Sequence, residues 1–391
     1  MMKVFSAAFI HSRLRNVILL SGIICLLTCG CTEGADAPTG SADNNDNVLN
    51  LEYASQFSAA MDDGCYKLEI ADGRKYLLIP EEISEDDKSL NEKYGDYIRI
   101  NIPVSTVYLA ASSAMDMFRE LDALDEVYLT STNEWAIDGI NERLSDGRMY
   151  YIGKYMAPDY EALLEAQCDL ALESTMIYHS PATAEEIEAL NIPVLIERSS
   201  YENDPLARLE WIKLYGLLTG HEQEAIAYFD EVKKEVLNIV SKTEESKGKR
   251  PDTAFFSISQ NGYATVRKPQ DYVAKMISMA GGNYVPQDIS PDEKATATMN
   301  IQMEAFVTEV SNADILIYNS TIRSGPKSID ELTEMSDVFL DFSAVKSKNV
   351  WCTSRSMFQE TTAVSRIITE LNQIISGDYD EDNMEYFYKL K

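Results

Sequence analysis

The chain has 391 residues, 64 of them acidic and 34 basic, for a formal net charge of −30. Such a deficit of Lys and Arg excludes a binder that tracks nucleic-acid phosphates, and it excludes adhesion to anionic lipid through a basic face. The length and the 45% apolar content allow two domains with cores of their own and exclude a disordered chain.

The N-terminal segment is not expected to be part of the fold. Lys3, Arg13 and Arg15 precede the apolar run VILLSGIICLLTCGC. A charged start, a short apolar centre and a small-residue end have the form of a secretory signal, and the run is short for a membrane span. Its end, LLTCGC, resembles a bacterial lipoprotein signal, in which the cysteine after the cleavage site is lipidated. Cys31 follows the small Gly30 and is preferred to Cys29, which follows Thr28. The alternatives are an uncleaved anchor or a plain signal. Residues 32–49 are small, polar and acidic, and read as a flexible tether. A mature chain outside the cytoplasm then keeps Cys65, Cys168 and Cys352. An odd number without tight spacing excludes a disulfide framework and a zinc knuckle. One bridge or three buried thiols remain open.

From residue 50 to 203 strands alternate with short helices. CYKLEI and KYLLIP flank Asp72-Gly73, a hairpin turn dipeptide. STVYLA is a strand, and SSAMDMFREL a helix with Ser112 or Ser113 as N-cap. EVYLT, MYYIG, the helix YEALLEA, the strand DLALES and TAEEIEALNIPVLIE continue the alternation, which predicts parallel α/β units. Residues 204–245 differ. Asp204 caps a helix with Pro205 in its first turn, Gly220 punctuates it, and HEQEAIAYFDEVKKEVLNIVSK reads as one long amphipathic helix. The alternation restarts over residues 250–378 with TAFFSIS, DYVAKMISMA closed by Gly281-Gly282, MEAFVTEV, DILIYNS, NVWCT and TAVSRIITELNQII. Residues 379–391 form an acidic and aromatic tail with no assigned place.

One phrase occurs twice. In PDYEALLEAQCDLALES and NIQMEAFVTEVSNADILIYNS a glutamate opens a helix, a polar break follows, then an aspartate, then an apolar run. Glu161 and Glu304 occupy matching places. The reading is two α/β lobes, each with a helix–strand unit at an equivalent position, joined by a long helix.

These residues carry a resemblance. The order of lipoprotein signal, α/β lobe, single connecting helix and α/β lobe resembles the substrate-binding proteins of bacterial ABC importers for ferric siderophores, cobalamin and haem. The phrases that carry it, over about residues 95–378, are the two above with LNIPVLIE, NDPLARLEWIKLYGLLTGHEQEA and YVAKMISMAGGNYV. The stretch ARLEWIKLYGLLTG is the most specific. The resemblance implies two Rossmann-like lobes joined by one long α-helix, a clam-shell that closes on a ligand with limited hinge motion. It implies an ABC permease and its ATPase as partners, and Glu161 and Glu304 as docking carboxylates for arginine pockets on that permease. It implies a monomer, held at the cell envelope by its lipid, with no intrinsic cofactor.

The residues themselves say little for catalysis: GxSxG, HExxH and a phosphate-cradling glycine loop are lacking in the sequence. Cys168 with His179 is a conceivable pair without an orienting group. Two histidines beyond His11, His179 and His221, are too few for a bare zinc or manganese site. A chelated or organic ligand held by aromatic faces and arginines fits better. The candidates after first-lobe strands are Asn133, Glu134, Trp135 and Tyr178. Between the lobes they are Arg208 and Trp211. In the second lobe they are Tyr263, Arg267, Asn319, Arg323, Arg355, Met357 and Phe358. Each arginine is suited to bind a carboxylate-bearing ferric chelate, and Tyr178 or Tyr263 to be an axial haem ligand. The alternatives are a surface-anchored α/β enzyme, and a clam-shell receptor or scaffold that has lost ligand transport.

Overall fold

The computed structural model describes residues 48–84, 88–246, 248–287, 297–321 and 324–391. The signal segment with Cys29 and Cys31, the tether to residue 47, and Arg323 lie outside the described residues. Among the described residues no helix is long and apolar enough to cross a membrane.

A small sheet comes first. Strands Phe57–Asp62, Cys65–Ile70 and Lys75–Pro80 form an antiparallel meander, and Ile98–Ile102 adds to the third in parallel. Asp63 and Gly64 both have positive φ, 52° and 80°. This is the backbone a two-residue hairpin turn requires, and it explains Asp-Gly at that place. The expected hairpin around Asp72-Gly73 forms with Gly73 at φ 92°.

The first lobe is a parallel sheet in the order Val194–Glu197, Leu170–Ser174, Val107–Leu109, Val127–Thr130, Tyr150–Tyr151. The second lobe repeats this order with Val350–Thr353, Ile315–Tyr318, Asp252–Ile258 and Asn283–Val285, again parallel. Antiparallel strands extend it: Ala264–Arg267 and Thr298–Ile301 at one edge, Phe387–Lys389 at the other. The central strands are covered on both faces. That is why VLIE, ILIY and VWCT read as unbroken apolar runs rather than alternating ones, and all twelve of these residues are buried.

The repeated phrase has a structural cause. Helices Tyr160–Glu165 and Met303–Val310 each lead into the strand beside the first strand of their lobe. The aspartate between them does the same work twice. The Asp169 carboxylate accepts from the amides of Ser105 (2.7 Å) and Thr106 (3.1 Å), and Asp314 accepts from the amide of Asp252 (3.0 Å). Each ties down the start of its lobe's first strand.

Three helices connect the lobes: Pro205–Glu210, Ile212–Thr219 and Glu222–Glu245. Asp204 caps the first by accepting from Leu206 N at 2.8 Å. The third buries Ala225, Phe229, Val232 and Val236 along one stripe. It lies so close to the second that a Cβ on Gly216 would come within 2.6 Å of the Ala225 Cβ. The tail is not a free appendage. The Glu370 carboxylate accepts from the amides of Glu385, Tyr386 and Phe387, and holds the last strand on the second-lobe sheet. At the other end the connecting segment grips the chain where the tether enters. Glu210 accepts from the amides of Glu52, Tyr53 and Ala54. Glu202 accepts from those of Ser55 and Gln56.

Candidate ligand-binding cleft

Parallel α/β sheets leave their ligand loops at the carboxyl ends of the strands. Here those ends of the two lobes meet along a seam. The second-lobe segment after Val350–Thr353 supplies most of it. Arg355 pairs with Glu134 at 3.0 Å, Gln359 accepts from Ala136 N at 2.8 Å, and Thr361 Oγ1 donates to Ser113 O at 2.9 Å. Asp116, fully buried, accepts from Thr362 N (2.8 Å) and Thr362 Oγ1 (2.5 Å) while Arg119 binds its other oxygen at 2.6 Å. One carboxylate of the first lobe thus receives the amide of Thr362, two residues before the helix Val364–Ser376 of the second.

On the first-lobe side Tyr178 is exposed in the turn after Leu170–Ser174. Its hydroxyl donates to Asp72 (2.9 Å) and accepts from Arg198 (2.7 Å). Arg198 also lies 4.3 Å above the Tyr201 ring and binds the side chain of Gln56 at 3.1 Å. It follows the strand VLIE directly, so the strand-end rule that selected Tyr178 also points to Arg198, which sequence reasoning missed. Trp135 belongs elsewhere. Its indole donates to Thr132 O at 3.1 Å and its ring is core, while its neighbour Glu134 faces the seam. Trp211 likewise is wholly buried, edge-on to Phe57 at 4.8 Å with its indole nitrogen on Glu202.

The hinge and second lobe bring Arg208, Arg267 and Phe358 together. Arg208 stacks on Tyr272 at 4.0 Å, and Arg267 on Phe358 at 4.6 Å. Tyr272 and Phe358 are 6.3 Å apart. Asp271 lies 3.7 Å from Arg267 and caps its own helix through Val273 N. Burial raises the Asp271 carboxyl, against the two guanidiniums that hold it down. Arg208, Tyr272 and Phe358, with Met276, Met357, Glu360 and Thr361, line a narrow cavity of about 20 Å3, room for about one water-sized group. The other second-lobe candidates stand apart from this cluster. Tyr263 is half-buried at the tip of the hairpin after Asp252–Ile258, and Asn319 spends its carbonyl on Thr321.

Glu161 and Glu304 are both exposed in the first turn of their helices, the one capped by Asp159. His179 is exposed, and His221 faces Thr219 at 3.2 Å. The three cysteines of the described residues are free and buried. Burial pushes the Cys168 thiol up to about 12, the reverse of what a nucleophile needs. Neither Ser112 nor Ser113 is the N-cap expected: Ala114 precedes the helix Met115–Glu120, and the Ser113 hydroxyl donates to Glu197 at 3.1 Å.

Comparison with known proteins agrees with this architecture. The crystal structure of a periplasmic binding protein from Veillonella parvula superposes with a TM-score of 0.58 at 14% identity, over 83% of this chain and 99% of its own. A periplasmic haem-binding protein of Pseudomonas aeruginosa gives 0.58 at 11% identity, over 73% and 98%. By sequence, an uncharacterized lipoprotein of Methanocaldococcus jannaschii is 24% identical over 360 residues, 88% of this chain and 81% of the relative. Residues 112–355, more than half of the chain, match the family model described as periplasmic binding protein. The chain belongs to the periplasmic binding protein family.

Proposed function

We propose that this protein is the substrate-binding lipoprotein of an ABC importer. It captures a ferric siderophore or a related metal chelate, such as cobalamin or haem, between its lobes and delivers it to a membrane permease. The observation that carries the reading is the pairing of two like α/β lobes whose strand ends face one another, with arginines set against aromatic rings beside the seam. The solved structures that share the fold include haem-binding proteins. Lipidation of Cys31 would hold the protein at the outer side of a membrane, in keeping with the lipoprotein among its relatives. It would act as a monomer, without an intrinsic cofactor and without nucleic acid.

Glu161 and Glu304 are the docking carboxylates in this account, one exposed on each lobe. The test is uptake of the cargo by cells that depend on this protein. The double variant Glu161→Ala with Glu304→Ala is expected to lose uptake at least tenfold while the purified protein keeps its ligand affinity. Uptake that survives both substitutions would remove the docking assignment. A second reading, a receptor or scaffold that has lost its ligand, is favoured by the direct polar contacts that stitch the seam. It predicts that no chelate binds.

A further inference from the structure

One short segment of the second lobe, residues 355–362, carries bonds that join the lobes. Arg355 reaches Glu134, Gln359 accepts from Ala136 N, Thr361 donates to Ser113 O, and Thr362 donates to Asp116. A segment that places four groups on the first lobe has to be held firmly on its own. Its middle is held by packing: Met357 is buried, and the Phe358 ring lies 6.2 Å from Phe255 and 6.3 Å from Tyr272. Its two ends are held by one residue of the acidic and aromatic tail. The Tyr386 carbonyl accepts from Ser354 N at 2.8 Å, where the chain enters the segment. The Tyr386 hydroxyl donates to the Glu360 carboxylate, next to the two threonines that reach the first lobe. Tyr386 is fully buried and is itself fixed. Its amide donates to Glu370 at 2.9 Å, and Arg366, paired with Glu385 at 3.1 Å, lies 5.7 Å over its ring. A buried tyrosine that bonds through both its carbonyl and its hydroxyl spans the segment as a cross-brace.

We infer that the C-terminal tail sets how the two lobes meet, and that Tyr386 is the positioning residue through which it acts. Its bonds lie within the second lobe, and its effect passes through residues 355–362 to the first. Loss of the Tyr386 hydroxyl leaves the strand Phe387–Lys389 on the sheet, because the main chain makes that pairing. It frees the Glu360 end of the segment and leaves a buried carboxylate without its donor. Thr361 and Thr362 then lose the fixed place from which they reach Ser113 and Asp116. The consequence appears on the far side of the seam, at the Ala136 amide that Gln359 accepts and at the Asp116 carboxylate. Tyr388 offers a contrast in the same strand: it is 40% exposed and lies opposite Cys352, within the sheet rather than at the segment. The inference goes beyond the carrier reading and does not depend on it. Any molecule held between the lobes would leave sooner once the segment loosens.

The experiment is hydrogen–deuterium exchange, read by mass spectrometry, on the full chain in detergent and on its Tyr386→Phe variant. The amides to follow are Thr362 N, which donates to Asp116, and Ala136 N, which donates to Gln359 from the other lobe. Tyr386→Phe is expected to speed exchange at both by about tenfold, while the central strands Leu170–Ser174 and Ile315–Tyr318 keep the parent's rates. Tyr388→Phe removes a hydroxyl from the same strand and is expected to leave Ala136 and Thr362 as in the parent. A folded Tyr386→Phe with Ala136 at the parent's rate overturns the inference. Acceleration spread equally through the central strands overturns it too, because that is general loosening and not positioning. Should Tyr386→Phe fail to fold, Glu360→Ala severs the same bond from its other end and is read at the same two amides, with the same outcomes. The measurement uses no cargo, so either result leaves the carrier reading standing.

Discussion

Glu173 shows how one residue can set a pH dependence. It lies in the strand Leu170–Ser174 with no exposure, and both its carboxylate oxygens lack a partner in the described structure. Burial pushes its carboxyl from the ordinary 4.5 up to about 8. The folded protein therefore keeps a proton that the unfolded chain releases near 4.5. Its contribution to stability is complete below 4.5 and is lost as pH rises through 8, at about 1.4 kcal/mol for each unit between the two. Glu173→Gln keeps the shape and cannot ionise. The variant should melt higher than the parent at pH 8 and show a flatter curve of Tm against pH across that window. Equal slopes for the two proteins would mean that the acid is not buried uncharged.

At the scale of elements, the grip on residues 50–56 is the least expected feature. Glu210 is fully buried, receives three backbone amides from this strap and pairs with Lys213 at 2.7 Å; Lys213 in turn binds Asn50 O at 2.8 Å. Removing the carboxylate leaves those amides and a buried ammonium without a partner. Glu210→Ala should therefore cost about 3–5 kcal/mol, read as a fall in denaturant midpoint, and should expose the strap to proteolysis. A variant as resistant as the parent would show the strap to be held by something else. The helix–strand units were legible because each needs a strand buried on both faces, and ILIY or VLIE has no other reading in an alternating chain. Other elements exist only through pairing. TMNI and ATVR are mixed in polarity and become strands Thr298–Ile301 and Ala264–Arg267 because each lies against the other. The tail strand FYK depends on Glu370, fifteen to seventeen residues upstream, whose role no local pattern announces. The candidate site divides in the same way. Position after a strand led to Tyr178, Glu134 and Arg355 as candidates, and the same rule reaches Arg198. The strand-end rule also offered Trp135, and place between the lobes offered Trp211; both rings are buried, because residue type does not say which face of a loop or helix turns inward. Tyr272, the ring under Arg208, lies inside an apolar helix and gave no separate signal.

For the whole molecule, the charge of −30 acts everywhere at once. Like charges on the surface repel, and the compact state concentrates them. Added salt screens that repulsion, so the melting temperature should rise from low to physiological ionic strength, by a few degrees. A melting temperature that falls with salt would mean that surface ion pairs such as Lys93 with Asp62 and Asp63 outweigh the repulsion. The central claim concerns the clam-shell as a whole: that it holds one metal chelate between its lobes. The seam is stitched directly from lobe to lobe in this state, so a ligand must compete with contacts such as Asp116 to Thr362. The most direct measurement is equilibrium titration of the full chain in detergent with ferric siderophores, cobalamin and haem. The account predicts saturable binding of one chelate class at one molecule per chain. No saturable binding by any of the three classes would contradict it, and would favour a clam-shell kept as a receptor or scaffold.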